Sequence, residues 1–251
     1  MKISQIRNAT IALEYGGVHF LIDPYLGAKG DYPPVPNTAN QVNNPTVELP
    51  VAVEELIRAD AVIVTHLHPD HFDTAAISAL PKDASIIVQS DEDAETVRTD
   101  GFRNVQPIER VPHVGDVQLT RTRGRHGTDE IGRLMGQVSG IVFRHPDEKT
   151  LYIAGDTIWC DEVDEAIREN RPDIIVVNGG AAQFLQGDPI TMGKEDIVRT
   201  QLAAPQATII VSHMEAVNHC FLSRRELKNF VEAKGLAARI IVPDDGDTIE
   251  C

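Results

Sequence analysis

The sequence predicts an α+β fold, and three observations predict it. Short β-branched runs alternate with helical stretches after residue 50. Two hairpins, one near the start and one in the middle, argue against a purely parallel sheet. The 251 residues, 42% apolar and 24% charged, are enough to bury a large core. No tandem repeat is evident. A loose echo, in which each half opens with a hairpin and continues with alternating elements, predicts residues 1–251 to be a single domain of two similar halves.

The elements follow in order. "TIALEY" and "VHFLIDP" flank Gly16 and Gly17, a pair that tolerates positive φ, and form the first hairpin. Residues 26–50 are rich in Pro, Asn and Gly without periodicity, a loop of the length that is usually functional or disordered. From Gly27 to Pro50 it is expected to be a wall or lid with Tyr32 reaching inward, or an oligomer contact. A short helix, "VAVEELIRA", leads to the strand "AVIVT". Asp73 is placed to cap the helix in "TAAISALPK". "ASIIVQS" is a strand, and the helix from Asp91 to Arg98 has Ser90 as N-cap and Gly101 as stop. "DVQLTRTRG" is a strand, and "GIVFR" and "TLYIAG" make the second hairpin across "HPDEK". The helix "DEVDEAIREN", strand "DIIVVN", helix "KEDIVRTQLA" and strand "TIIVS" follow. Ser223 with Glu226 forms a capping box for the last helix, Leu222 and Leu227 a hydrophobic staple, and Gly235 its stop. "ARIIVP" is the closing strand.

The formal net charge is −15. A field of that sign disfavours nucleic acid and anionic membrane as main partners, so neither is expected. It still admits an anionic small-molecule substrate, because a metal or an arginine cluster reverses the field locally. No apolar run reaches the roughly 20 residues a bilayer span needs, and "MKISQIRNAT" lacks a signal-peptide core. Three scattered cysteines make no disulfide framework. Cytoplasmic residence is expected, and a homo-oligomer is compatible with all of this.

"VIVTHLHPDHFD", Val62 to Asp73, concentrates three of the 9 histidines and an aspartate within six residues. "AVIVT" reads as a buried strand. His66 and His68, two apart, share a face on extended chain but not on a helix. Pro69 holds His68 extended. Both imidazoles can then reach one cation, while Asp70 and His71 address a second as the chain turns. A surface cluster of this kind would repel itself at mildly acid pH without gain. Further ligands are sought at other strand ends, where α/β sites gather: His126 after "VQLTRTRGR", Asp156 after "TLYIAG" and His213 after "ATIIVS". Taken singly, each is more often a cap or a surface residue; their shared placement makes them a set.

These residues resemble the metallo-β-lactamase fold superfamily of metal-dependent hydrolases. The match runs H-x-H-x-D-H at His66, His68, Asp70 and His71, then His126, the "GDT" at Gly155 to Thr157, and His213. It covers nearly the whole chain, including the opening hairpin that ends in "LIDPYL". "PITMGKEDIV" before the strand to His213 is most similar to the ascorbate-6-phosphate lactonase-like single-domain branch. The resemblance implies a four-layer αβ/βα sandwich with its site at one edge between the sheets. It implies one ion on His66, His68 and His126, another on Asp70, His71 and His213, and Asp156 bridging them. His68 stands where the superfamily's di-iron redox members carry glutamate, which favours hydrolysis.

Imidazoles and carboxylates without thiolate suit two divalent ions, Zn²⁺ first, with Mn²⁺ or Fe²⁺ also suited. The expected activity is hydrolysis by a metal-bridging hydroxide of a lactone, ester or phosphodiester in a small cytoplasmic metabolite. Asp70 is the catalytic carboxylate, orienting the nucleophile and taking its proton. Asp23 is a candidate to orient a ligand histidine, or a turn former before Pro24. The alternatives are a di-iron redox protein and a non-catalytic metal-binding protein.

Weaker signals suggest substrate contacts. Glu215, Asn218 and His219 line a cleft or sit in a capped loop, and His219 is a rival ligand to His213. Asn178 lies at another strand end in "VVNGGAA". Lys194 at a helix start in "TMGK" is placed to hold an anion or to be solvated. Arg121, Arg123 and Arg125 share a strand face, as an anion-binding wall or a solvated surface. Cys220 is expected to be an inert thiol. His19, His113 and His145 fall outside the set.

Overall fold

Alternation of buried apolar side chains along extended chain sets the layers. The computed structural model describes residues 1–251 and contains fourteen strands and seven helices. The first sheet takes β1 (Lys2–Arg7), β2 (Thr10–Tyr15), β3 (Val18–Ile22), β4 (Ala61–Val64), β5 (Ser85–Val88) and β6 (Asn104–Pro107) in chain order. The second takes β7 (His113–Val114), β8 (Val117–Arg123), β9 (Ser139–Arg144), β10 (Leu151–Ile153), β11 (Ile174–Asn178), β12 (Thr208–Ser212) and β13 (Ile240–Ile241). A last strand, β14 (Thr248–Glu250), returns to pair with β1. Each sheet is antiparallel on one side and parallel on the other, β3 to β6 and β10 to β13 forming the parallel parts.

In β4, Ala61 and Ile63 point into one core while Val62 and Val64 point into another, as the two-residue period requires. Ile174 and Val176 of β11 likewise part from Ile175 and Val177. The core between the sheets joins 19 side chains, with Phe20 and Phe143 edge to face at 5.4 Å. α1 (Val53–Leu56), α2 (Thr74–Ala79) and α3 (Asp91–Thr99) cover the first sheet through Leu56, Ala76, Ala94 and Val97. α5 (Asp161–Asn170), α6 (Lys194–Ala203) and α7 (Arg224–Ala233) cover the second through Val163, Ile197 and Leu227. The result is the four-layer αβ/βα sandwich. No helix is long and apolar enough to cross a membrane.

Asp73, Ser90 and Ser223 each accept the expected capping hydrogen bond, from Ala76, Asp93 and Glu226. The capping box is half formed, because the Glu226 carboxylate accepts from Lys194 instead of turning back. Leu222 and Leu227 meet in one apolar cluster. "VAVEELIRA" yields a single turn with one buried side chain, Leu56. β1 escapes sequence reading because a bulge between Gln5 and Arg7 breaks its alternation. α4 (Asp129–Met135) escapes it because none of its residues is buried, so it has no core-facing stripe. "ARIIVP" contributes only Ile240 and Ile241, and the chain runs on to β14.

Candidate metal centre

Strand ends bring the ligating residues together. His66, His68, Asp70 and His71 follow β4, His126 follows β8, Asp156 follows β10 and His213 follows β12. Asp156 sits in a turn that glycine makes possible: Gly155 has φ +70°, and a Cβ there would overlap the Ser139 carbonyl. His213 and Asp23 hold φ of 57° and 46°, strained values kept by the hydrogen bonds around them. The donor atoms fall into three groups whose members lie within 4.8 Å of one another: His66, His68 and His126; His66, His71 and Asp156; Asp70, His71 and His213.

Asp156 is the common centre. Its Oδ2 lies 3.3 Å from His71 Nε2, 3.4 Å from His126 Nε2 and 3.6 Å from His213 Nε2. Its Oδ1 accepts from Asn178 Nδ2 at 2.6 Å, which fixes the carboxylate plane. The far nitrogens of the rings are held from behind. His71 Nδ1 is 2.9 Å from Asp23 Oδ2, and Asp23 is itself fixed by the Thr65 amide and hydroxyl. His126 Nδ1 donates to the Ile190 carbonyl at 2.8 Å. His66 Nδ1 lies 3.2 Å from Thr65 Oγ1, and His213 Nδ1 lies 3.5 Å from Cys220 Sγ. Such partners set the tautomer that turns each Nε2 lone pair inward.

The charges divide the cluster. Burial holds His66 well below the usual histidine range, helped by its neighbours His71 and His68. Burial also lowers His68 and His126 against the pull of nearby carboxylates. These three rings are neutral donors. Burial opposes charge on His71 too, but Asp156, Asp23 and Asp70 outweigh it and push the ring up to about 10. His213 is raised well above its usual value, with burial again outweighed, chiefly by Asp156. Burial opposes ionisation of Asp70 and Asp156, yet the surrounding imidazoles hold both well below the carboxylate range. The carboxylates therefore demand positive charge, and divalent cations would meet that demand by displacing protons.

The residues fit such ions. His66 Nε2 and His71 Nε2 are buried without a hydrogen-bond partner, and native proteins seldom leave such atoms unmatched. The donors are imidazole and carboxylate, the set that divalent zinc, manganese and iron accept.

The expected substrate contacts fare differently. Asn178 is committed to Asp156. Glu215 pairs with Arg224 at 3.0 Å. Lys194 lies 3.1 Å from Glu226 and over the Phe230 ring, turned to the outer helix layer, because its helix packs beside α7. Lys194→Ala is therefore expected to change turnover less than twofold, checked by steady-state kinetics. Asn218 is wholly occupied in holding the long loop: it accepts from the Val35 amide and Asn44 Nδ2, and donates to Thr38 Oγ1 and the Asn40 carbonyl. Asn218→Ala should lower stability by about 2–4 kcal/mol, since several buried loop groups lose their partner at once; denaturant melts test this. Arg121 pairs with Ser139 and Glu109; Arg125 pairs with Glu162 and, with His126, lines a cavity under Gly124 to Asp129. Tyr32 turns to Asp73 and Thr74 behind the site.

His219 is left as the one unassigned group. It is buried, its Nδ1 has no partner, and its ring stacks on Phe184 at 6.4 Å. It belongs to none of the three donor groups. Sequence reading missed Asn8, whose Nδ2 donates to the Asp70 carbonyl at 2.9 Å and sits 3.4 Å from His213 Nε2. An asparagine in a β-turn carries no signal of that contact.

A family model described as "Beta-lactamase superfamily domain" matches residues 19–214. The UPF0173 protein YddR of Bacillus subtilis is 49% identical over 99% of both chains. The solved structure of isothiocyanate hydrolase from Delia radicum gut bacteria is 44% identical, with a TM-score of 0.96, covering 100% of this chain and 99% of the other. That of a possible metal-dependent hydrolase from Veillonella parvula is 37% identical, with a TM-score of 0.97 and the same coverage.

Proposed function

The chain belongs to the beta-lactamase superfamily domain family and to the UPF0173 family, several of whose members are named metal-dependent hydrolases, and on that premise we propose a dinuclear hydrolase of small electrophilic molecules. One observation carries the two-ion reading: a single oxygen, Asp156 Oδ2, lies within 3.6 Å of imidazole nitrogens from three separate segments. His66, His68 and His126 would hold one cation, Asp70, His71 and His213 the other, with Asp156 shared. When bound, two divalent cations, zinc first by donor type, acidify a water and polarise the atom it attacks.

The chain's own groups do the rest. Asp70 is the most accessible of the three carboxylates, its side chain 18% exposed against 4% for Asp156 and 2% for Asp23. It takes the proton, steadied by Asn8. Asp23 and the Ile190 carbonyl keep His71 and His126 aimed.

For the substrate we carry over the class named for the relative from Delia radicum gut bacteria, an isothiocyanate. Water oxygen adds to the central carbon, the carbon–nitrogen bond breaks, and the nitrogen takes two protons, giving a primary amine and carbonyl sulfide. The likeness of the C-terminal motif to lactonase-like proteins keeps lactones in the test panel. We place the protein in the cytoplasm, in keeping with its three free cysteines. The test is amine release from phenethyl isothiocyanate by zinc-loaded protein, beside a lactone, an ester and bis-p-nitrophenyl phosphate. Turnover of the isothiocyanate is expected; inertness towards the whole panel would overturn the proposal.

A further inference from the structure

One buried polar side chain beside the ligand cluster does nothing for the fold. Asn8 is committed to Asp70, Asn178 to Asp156, Asp23 to His71 and Cys220 to His213. His219 is committed to none of them. Its Nδ1 is buried without a partner, and its Nε2, which is not buried, makes no hydrogen bond within the chain.

The chain fixes this ring from both sides. Asn218, just before it, holds the long loop through Val35 and Asn40. Cys220, just after it, places Sγ 3.5 Å from His213 Nδ1 and bridges to Ala182. The Gln183 amide donates to the His219 carbonyl at 3.0 Å, and Phe184 stacks on the ring. The same loop supplies the Ile190 carbonyl that aims His126. The cluster also opens on this side. Among the ligating residues only His68 and Asp70 are partly exposed. Both act on His219 through their charge, as do His213 and Asp156. His68 belongs to one proposed cation position and Asp70 to the other, so the ring stands beside the junction of the two.

Burial lowers the pKa of His219 against the pull of Asp70 and Asp156, which keeps the ring neutral with one proton to place. A buried N–H without an acceptor is rarer than a buried lone pair without a donor. The proton therefore sits on Nε2, and the open edge of the ring is a donor. We propose that His219 is a catalytic residue whose Nε2–H donates a hydrogen bond to the substrate heteroatom that turns negative when water adds to the neighbouring carbon. The π pair of the carbon–heteroatom bond moves onto that atom, the ring keeps its proton, and the hydrogen bond strengthens as charge grows. This deepens the hydrolase reading and rests on it for the reaction, but it holds equally for an isothiocyanate, a lactone or an ester. Arg133 is the competing stabiliser. It forms no ion pair and, with Arg125 and His126, lines the cavity under Gly124 to Asp129. It is exposed, and water and salt screen an exposed charge more than they weaken a donor held in a buried ring.

The binding probe is thiocyanate, a linear anion, titrated by calorimetry into zinc-loaded protein. His219→Ala is expected to weaken it about tenfold or more, the loss of a hydrogen bond to a charged group. His219→Gln keeps a donor at similar reach and retains most of the affinity, and Arg133→Ala leaves it unchanged. In turnover, His219→Ala lowers kcat about a hundredfold with little change in KM, as loss of one such donor does. His219→Gln restores most of that loss. Zinc content and melting temperature stay those of wild type, which a ligand or a packing role would not allow. Long-range nitrogen NMR of histidine-labelled wild type finds the proton on Nε2, with a signal that moves when thiocyanate is added. Equal thiocyanate affinity in wild type and His219→Ala overturns the inference. So does a proton on Nδ1, loss of zinc from His219→Ala, or Arg133→Ala carrying the loss of affinity instead. If thiocyanate binding drops as expected while nothing in the substrate panel is hydrolysed, the donor stands and the hydrolytic reading falls.

Discussion

Asp156→Ala is expected to strip the protein of bound metal and to lower hydrolysis by more than about a hundredfold, the upper end of what losing a mere supporting contact costs. The reason is the central position of its Oδ2 among three imidazoles. The fold should survive, because Asp156 lies in a turn after β10 and belongs to none of the three apolar cores. Metal analysis, circular dichroism and turnover on the same preparation check this. His66→Ala is expected to act in the same direction, removing a ligand nitrogen that has no other partner. Full metal content with full activity in Asp156→Ala would refute the assignment.

Chelation is expected to have the second large effect, on stability as well as on activity. Asp23, Asp70 and Asp156 are close together beside buried imidazoles, and burying charge without a counter-charge is costly. A cation that binds the folded chain and not the unfolded one contributes about 2.7 kcal/mol when free metal is a hundredfold above its dissociation constant. For a chain of this size that is a rise in melting temperature of about 5–10 °C per ion. Dialysis against a chelator should lower the melting temperature by that amount, and zinc should restore it. A melting curve indifferent to chelator and zinc would contradict tight binding at the cluster.

What was legible in the sequence, and what was not, follows from distance along the chain. "HLHPDH" is legible because its geometry is local: extended chain before Pro69 puts His66 and His68 on one face. His126, Asp156 and His213 are legible through a topological rule, since each directly follows a β-rich run. Four-layer packing was legible only through the family resemblance; the structure shows its cause, with Ala61 to Val64 alternating between two cores. The roles of Asn178, Asn218, Glu215 and Lys194 are not, because their partners lie 22, 174, 9 and 32 residues away. Nothing local tells an asparagine that holds a carboxylate from one that faces a substrate. Asn8 is hidden for the same reason, reaching Asp70 across 62 residues. α4 was invisible because none of its residues is buried, leaving no core-facing stripe to read.

The loop from Gly27 to Pro50 gains a definite place. Arg7, fully buried, donates to the carbonyls of Tyr25, Gly27 and Val47, and Asn218 gathers residues 35 to 44. It is a pinned wall, and Asn37 accepts from the Leu185 amide at 2.7 Å.

Anomalous scattering from a zinc-soaked crystal, collected above and below the zinc edge, addresses the pair of cations most directly. Two peaks are expected, one among His66, His68 and His126 and one among Asp70, His71 and His213, with Asp156 between them. No peak at saturating zinc, or peaks elsewhere on the surface with these imidazoles uninvolved, would contradict the account.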